Sequence, residues 1–129
     1  MNKRVVITGL GIVAPNGVGL PAFTHAIQNG ISGIKHDAEL ERLQFSCQIA
    51  GKPEISTELS LQYFTELELR NFNSSGILYG VIAGIDAWKD AGLSMEIREE
   101  PDWDSGTIFG TGTSGIDKFR ESIYKIDEL

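Results

Sequence analysis

A single cysteine, Cys47, stands among 129 residues, so no internal disulfide can brace the chain. That usage is the one expected of a reducing compartment, and the cytoplasm is the expected location. Basic residues are scarce too: 11 Lys and Arg face 18 Asp and Glu, and the net charge of −7 opposes general affinity for nucleic acid or anionic lipid. Apolar runs stay well short of the roughly 18 residues that a membrane-spanning helix needs. Lys3 and Arg4 precede only a strand-length apolar run that breaks at Gly9, so a secretory signal is not expected in this stretch. The closing Ile126-Asp127-Glu128-Leu129 comes near a retention signal of the endoplasmic reticulum but lacks its basic residue, and chance explains it. Repeats and low-complexity tracts are missing. So is the paired C-x-x-C or H-x-x-x-H spacing of a metal site, and no metal is expected.

What is present reads as one α/β core, with 41% hydrophobic and 22% charged residues. Residues 4–8 are β-branched with little alternation, which predicts a strand buried on both faces. Pro21 opens a helix whose apolar face is Phe23, Ala26 and Ile27 and which Gly30 stops. Residues 43–51 alternate imperfectly and predict a short strand closed by Pro53. The strongest helix runs from Asn73 or Ser74 to Ala91, ended by Gly92, with a stripe of Ile77, Val81, Ile85 and Trp88 widened by Leu78 and Ile82. Gly76, Gly80 and Gly84 recur along it at a cost of about 1 kcal/mol each relative to alanine, which predicts close packing of another backbone. Residues 105–115 read as a glycine-rich strand leading into a turn. Ile116, Phe119, Ile123 and Ile126 mark a last helix with no stop signal, and the chain is expected to be an incomplete domain over residues 1–129. The acids at Glu96, Glu99, Glu100, Asp102 and Asp104, and those from Asp37 to Glu41, are expected to be solvated loop surface.

Gly9-x-Gly11-x-x-Ala14 after a strand matches the form of a dinucleotide fingerprint. The fingerprint needs a helix opening in the turn so that its N-terminus faces the pyrophosphate. Pro15-Asn16-Gly17 interrupts such a helix, and residues 31–37 hold no apolar run leading to Asp37 as a ribose-binding acid. A dinucleotide-binding oxidoreductase is therefore the weaker alternative.

The run from Arg4 through Gly17, with Phe23, Ala26, Ile27, Gly30, Ser32, Gly33 and Ile34 in register behind it, resembles the amino terminus of the β-ketoacyl-acyl carrier protein synthases. Tyr79-Gly80-Val81-Ile82-Ala83-Gly84 through Asp90-Ala91-Gly92-Leu93, and Gly106 through Gly115, continue the likeness, which is weakest over residues 36–70. It covers nearly the whole of this chain but only the beginning of a synthase. It implies the first part of the N-terminal half of a thiolase-like, layered αβαβα fold, most similar to the elongating 3-oxoacyl-acyl carrier protein synthase II type. The implied reaction is decarboxylative condensation of acyl and malonyl thioesters, in fatty-acid or polyketide-type synthesis, with acyl carrier protein as partner and a homo-oligomeric enzyme.

Such synthases use one cysteine and two histidines, and this chain holds Cys47, His25 and His36. A thiolate would take the acyl group while imidazoles assist decarboxylation and hold the oxyanion. The family's Thr-Ala-Cys-like elbow and its later histidine motifs do not occur here, however. Cys47 in Phe-Ser-Cys-Gln-Ile is expected to be a small buried or strand-lining thiol, and His25 in the first helix and His36 in a polar loop to be structural or solvated. No catalytic residue is assigned, and the segment alone is expected to be inactive. The resemblance assigns one substrate-binding residue, Thr113, at a position that borders the acyl pocket and is commonly aliphatic in the family. The alternative to a synthase segment is a non-catalytic assembly subunit that complements a separate synthase chain.

Overall fold

The computed structural model describes residues 4–72, 74–96, 99–113 and 115–127, excepting the side chain of Asp117. Asn73 as a helix start, Ser114 of the last glycine block, Lys3, and Glu128 and Leu129 of the closing residues lie outside the described residues. The architecture is mixed, with helices and two small antiparallel sheets. Strands β1 (Val13–Ala14) and β2 (Gly17–Val18) form a hairpin about Pro15-Asn16, pairing Val13 with Val18 and Ala14 with Gly17. Helix α1 (Leu20–Gln28) follows Gly19 and has Pro21 in its first turn, where a missing N–H costs nothing. Gly30 closes it at φ +64°, a left-handed conformation that suits glycine, while Ile31 N–H donates to the Ala26 carbonyl.

Strand β3 (Ile34–His36) pairs with β4 (Ile49–Gly51). His36 therefore belongs to a strand rather than a polar loop, and only the last third of the expected strand over 43–51 forms. The reason is local. Helix α2 (Ala38–Arg42) starts where the Asp37 carboxylate accepts from the N–H groups of Glu39 and Leu40, and its closing turn carries Gln44 at φ +57°. Phe45 N–H still donates back to Leu40, so the chain is free to pair with β3 only from Gln48 onward. The acids of 37–41 are thus a capped helix start. Lys52 pairs with Asp37, which holds that carboxyl below its usual range. Two further short helices, α3 (Thr57–Ser60) and α4 (Glu66–Leu69), are capped by Ser56 and by a Thr65–Glu68 capping box.

Helix α5 (Ser75–Asp90) is the organiser, and Gly92 ends it at φ +71°. A side chain added at Gly11 would overlap the Ala83 carbonyl oxygen, and one at Gly9 would overlap that of Ala87, so the segment before β1 lies directly on the helix backbone. Leu10 N–H donates to the Asp90 carboxylate at 2.9 Å and fixes the register. The backbone approach expected at the glycine stripe is not made there; a backbone approach is made instead on the Ala83, Ala87 and Ala91 strip. Gly80 and Gly84 meet something else: the ring of Phe109, 3.0 Å from where a Gly80 Cβ would sit. Gly11→Ala is expected to cost about 1–3 kcal/mol through overpacking, read as roughly 5- to 150-fold faster hydrogen exchange of the α5 amides. Exchange unchanged from that of the parent chain would show that the segment does not pack there.

Residues 4–8, and the described part (105–113) of the strand expected over 105–115, carry no ladder, because no strand partner lies beside them among the described residues. Helix α6 (Ile116–Asp127) ends the described chain, with Ile116, Phe119, Ile123 and Ile126 exposed. Among the described residues the buried apolar side chains are few: Ile82 at 0% exposure and Ala26 at 2%. The accessible surface is 10879 Å² for 14.1 kDa. Folded monomers of that mass expose about 6,700 Å², so about 4,000 Å² is in excess.

Candidate functional site

A 16-residue helix with apolar side chains at 77, 81, 85 and 88 presents a continuous stripe on one side. That stripe is not a packed core face but the floor of an open cleft. Trp88 donates from Nε1 to the Ser94 carbonyl at 2.7 Å, which brings the segment after α5 back alongside the helix. Phe109 stands over Gly80 and Gly84 on the other side, where the absence of side chains lets the ring approach. Between these walls, Val81, Ile85, Trp88, Met95, Ile108 and Phe109 line a cavity of about 590 Å³, mostly apolar. A smaller cavity of about 280 Å³ continues toward the start of α5 between Gly76, Ile77, Gly80, Phe109, Gly110 and Thr111. At the other end Glu96, Glu100 and Asp102 form an acidic mouth beside Trp88 and Ser105. Asp102 accepts from Ser105 Oγ at 2.9 Å and from Asp104 N–H at 3.1 Å, so part of the acidic segment is an ordered turn.

On the far side of α5 the Tyr63 hydroxyl donates to the Asp86 carboxylate at 2.9 and 3.1 Å, with the Lys89 ammonium 5.2 Å from the centre of the same ring. Phe64 and Phe72 meet edge to face at 5.0 Å below it. This group ties α3 and α4 to α5. Partial desolvation, then the donated hydrogen bond to Asp86, raises the Tyr63 pKa above its ordinary value. A phenol whose folded-state pKa is raised stabilises the fold fully below the unfolded value near 10 and loses that contribution as pH rises through the folded one. Tyr63→Phe is expected to speed exchange of the amides over 60–72 about 5- to 30-fold, as a lost hydrogen bond of about 1–2 kcal/mol requires. Unchanged exchange at those amides would remove the tie.

The candidate residues of the sequence fall apart in space. His25 lies exposed on α1, where the Asn29 amide donates to its carbonyl at 2.8 Å and its Nδ1 lies 3.3 Å from the same amide nitrogen. His36 Nε2 is 3.5 Å from a Glu41 carboxylate oxygen in the β3–α2 corner. Cys47 is exposed between α2 and β4, not buried and not strand-lining, because the strand begins only at Ile49. No hydrogen bond joins any two of these three, and among the described residues no group of three or more His, Cys, Asp or Glu could hold a metal ion. Thr113 sits exposed in the bend before α6. Thr111, two residues earlier, lines the smaller cavity instead. Phe109, Met95 and Thr111 escaped sequence reasoning, although Gly80 and Gly84 facing an apolar neighbour signalled room for a ring. Gly9 and Gly11 have their explanation in α5, and a hairpin rather than a helix opens after them.

An apolar segment laid on an alanine-bearing helix, with a hairpin and a proline-opened helix after it, makes up the N-terminal end of the chain. The family described as beta-ketoacyl synthase, N-terminal domain, matches residues 2–126, and the chain belongs to that family. It is 33% identical over 115 residues to 3-oxoacyl-[acyl-carrier-protein] synthase 2 of Vibrio harveyi, covering 89% of this chain and 26% of that protein. It is 27% identical over 128 residues to "Putative polyketide beta-ketoacyl synthase 1" of Streptomyces halstedii, covering 99% and 29%. With 3-oxoacyl-[acyl-carrier-protein] synthase 1 of Buchnera aphidicola subsp. Schizaphis graminum it shares 29% over 128 residues, 93% of this chain and 30% of that protein. The chain thus spans between a quarter and a third of the length of these relatives. Among the described residues no helix is long and apolar enough to cross a membrane.

Proposed function

We propose that this chain is the N-terminal part of a thiolase-like β-ketoacyl-acyl carrier protein synthase that joins an acyl thioester to a malonyl thioester with loss of carbon dioxide. The observation that carries the reading is the family match over residues 2–126, supported by relatives of both the 3-oxoacyl and the polyketide type. Residues 1–129 are then an incomplete domain. They contribute the first extended segment, the central helix α5 and one border of the acyl pocket, while the nucleophile and the two assisting histidines come from sequence outside it. The complete enzyme is a cytoplasmic homo-oligomer of elongating type that takes its substrates from acyl carrier protein and needs no metal or organic cofactor. The non-catalytic assembly subunit is favoured by one observation, the excess of exposed surface, and differs only in whether the completed particle condenses.

A chimera tests this. Residues 1–126 placed in the Vibrio harveyi synthase 2 in exchange for the matched stretch are expected to yield an enzyme that releases carbon dioxide from malonyl-acyl carrier protein when an acyl donor is present. A folded chimera without that activity would refute the synthase reading. In the same chimera Thr113→Ile is expected to shift acyl-chain preference, because a hydroxyl left unpaired against an acyl chain costs about 1–3 kcal/mol, roughly 5- to 150-fold in relative kcat/KM. Identical specificity profiles for the two proteins would take Thr113 out of the pocket.

A further inference from the structure

The exposed apolar side chains are of two kinds. Val5, Ile7 and Ile108 stand in solvent within stretches 5–13 and 105–113, which hold no charge, and such surface is what the rest of an incomplete domain covers. Trp103 is different. It is 90% exposed, and the segment around it, residues 94–104, holds five acids (Glu96, Glu99, Glu100, Asp102 and Asp104) against one base, Arg98. Burying carboxylates without matching cations is strongly destabilising, so a domain core cannot close over this segment. It stays on the surface of the complete enzyme, and its tryptophan stays with it.

The same segment forms a hollow. Trp88 and Leu93 floor a cavity of about 470 Å³, with Glu96, Glu100 and Asp102 on its walls. Two bonds hold one side in shape: Trp88 donates from Nε1 to the Ser94 carbonyl at 2.7 Å, and Glu96 N–H donates to Ser94 Oγ at 3.1 Å. Trp103 follows Asp102 in the turn that Asp104 and Ser105 close on the other side. Among the described residues no Lys, Arg or His lines the cavity. An apolar floor under carboxylate walls suits one side chain above others. An arginine lays its methylene stem along apolar surface, presents a planar fork of donors to carboxylates and stacks on an indole. We infer that this cavity and Trp103 form a docking site for an arginine-bearing segment of a partner protein. Charge decides against other occupants: a second copy of this chain at −7, nucleic acid and anionic lipid each bring negative charge to a surface that already has it.

Calorimetric titration of the 129-residue chain, and of the chimera described above, with the peptide acetyl-Arg-Leu-Arg-amide is the direct test. Saturable binding of equal strength is expected in both, because the whole site comes from residues 88–106, and it should weaken as salt is raised. Trp103→Ala is expected to weaken it about 3- to 30-fold, and Glu96→Gln combined with Glu100→Gln at least about tenfold. Glu58→Gln combined with Glu66→Gln, which removes the same charge from α3 and α4, is expected to leave it unchanged. Acetyl-Lys-Leu-Lys-amide should bind more weakly, and acetyl-Glu-Leu-Glu-amide not at all. The inference is overturned by any of four results: no saturable binding, equal losses in the two double variants, full affinity in Trp103→Ala, or free arginine amide binding as tightly as the peptide. A chimera that does not bind while the chain does would overturn it too, since the later part of the enzyme would then cover the segment. Condensation is a separate readout: a chimera that binds the peptide and does not condense refutes the synthase reading alone.

Discussion

Purified by itself, the chain is expected to bind an apolar dye such as anilinonaphthalene sulfonate strongly and to associate without defined stoichiometry as its concentration rises. The cause is the imbalance between ordering and burial. Fixing a residue costs roughly 1–2 kcal/mol of backbone entropy, and burial of apolar surface at about 25 cal/mol per Å² must offset it. Here only Ile82 and Ala26 among the described apolar side chains are buried, while Val5, Ile7, Trp103, Ile108 and Phe119 stand largely in solvent. What remains is held locally, by the Asp37, Ser56 and Thr65 caps and by the Tyr63–Asp86 tie. Secondary structure should therefore persist while side-chain packing fluctuates, so far-ultraviolet dichroism survives and near-ultraviolet dichroism is weak. Light scattering over a concentration series with hydrogen exchange on the same samples checks this. A compact monomer at every concentration, with strong protection throughout residues 75–90, would show that the 129 residues make a sufficient core.

The same imbalance separates what the sequence made legible from what it hid. Local signals with their own hydrogen bonds were readable: Pro21 and Gly30 bound α1, Gly92 ends α5, and Pro15-Asn16 breaks the would-be dinucleotide helix by forming a hairpin. The Thr65–Glu68 capping box and the Asp37 cap went unread, because α2, α3 and α4 are too short to show a periodic apolar face and their neighbourhood looked like loop. Signals that depend on a distant partner were not readable. Residues 4–8 and the stretch 105–115 have strand composition, but a strand is defined by its neighbour, and the described residues supply none. The glycine stripe of α5 pointed to a neighbouring backbone, whereas the ring of Phe109 meets Gly80 and the backbone of Gly9 and Gly11 meets the alanines one strip over. Cys47 was misplaced for a related reason: the turn after α2 delays the strand past it. As to the site, Ile77, Val81, Ile85 and Trp88 were legible as one stripe. That they floor a cleft depends on the Trp88 bond to Ser94 and on Phe109, neither of which leaves a mark in the periodicity.

Incubated with acyl-acyl carrier protein or acyl coenzyme A, the isolated chain is expected to keep its mass, with no acyl group on Cys47. Thioester exchange onto a cysteine needs a thiolate, a base or cation that favours it, and donors aimed at the developing oxyanion within hydrogen-bond reach. Cys47 is exposed, follows a turn rather than opening a helix, and has neither His25 nor His36 as a hydrogen-bond partner. Removing oxyanion donors alone costs about 10²–10³ in rate in enzymes that have them, and here the activating base is missing as well. The expected signal is therefore no stoichiometric adduct on the timescale on which the chimera turns over. Intact-mass spectrometry reads this without labels, and Cys47→Ser serves as the control for chemical acylation of an exposed thiol. Stoichiometric acylation at Cys47 within that time, abolished in Cys47→Ser and slowed by His36→Ala, would mean that the turn between α2 and β4 assembles a nucleophile after all, and would move the chemistry of this family member into the 129 residues themselves.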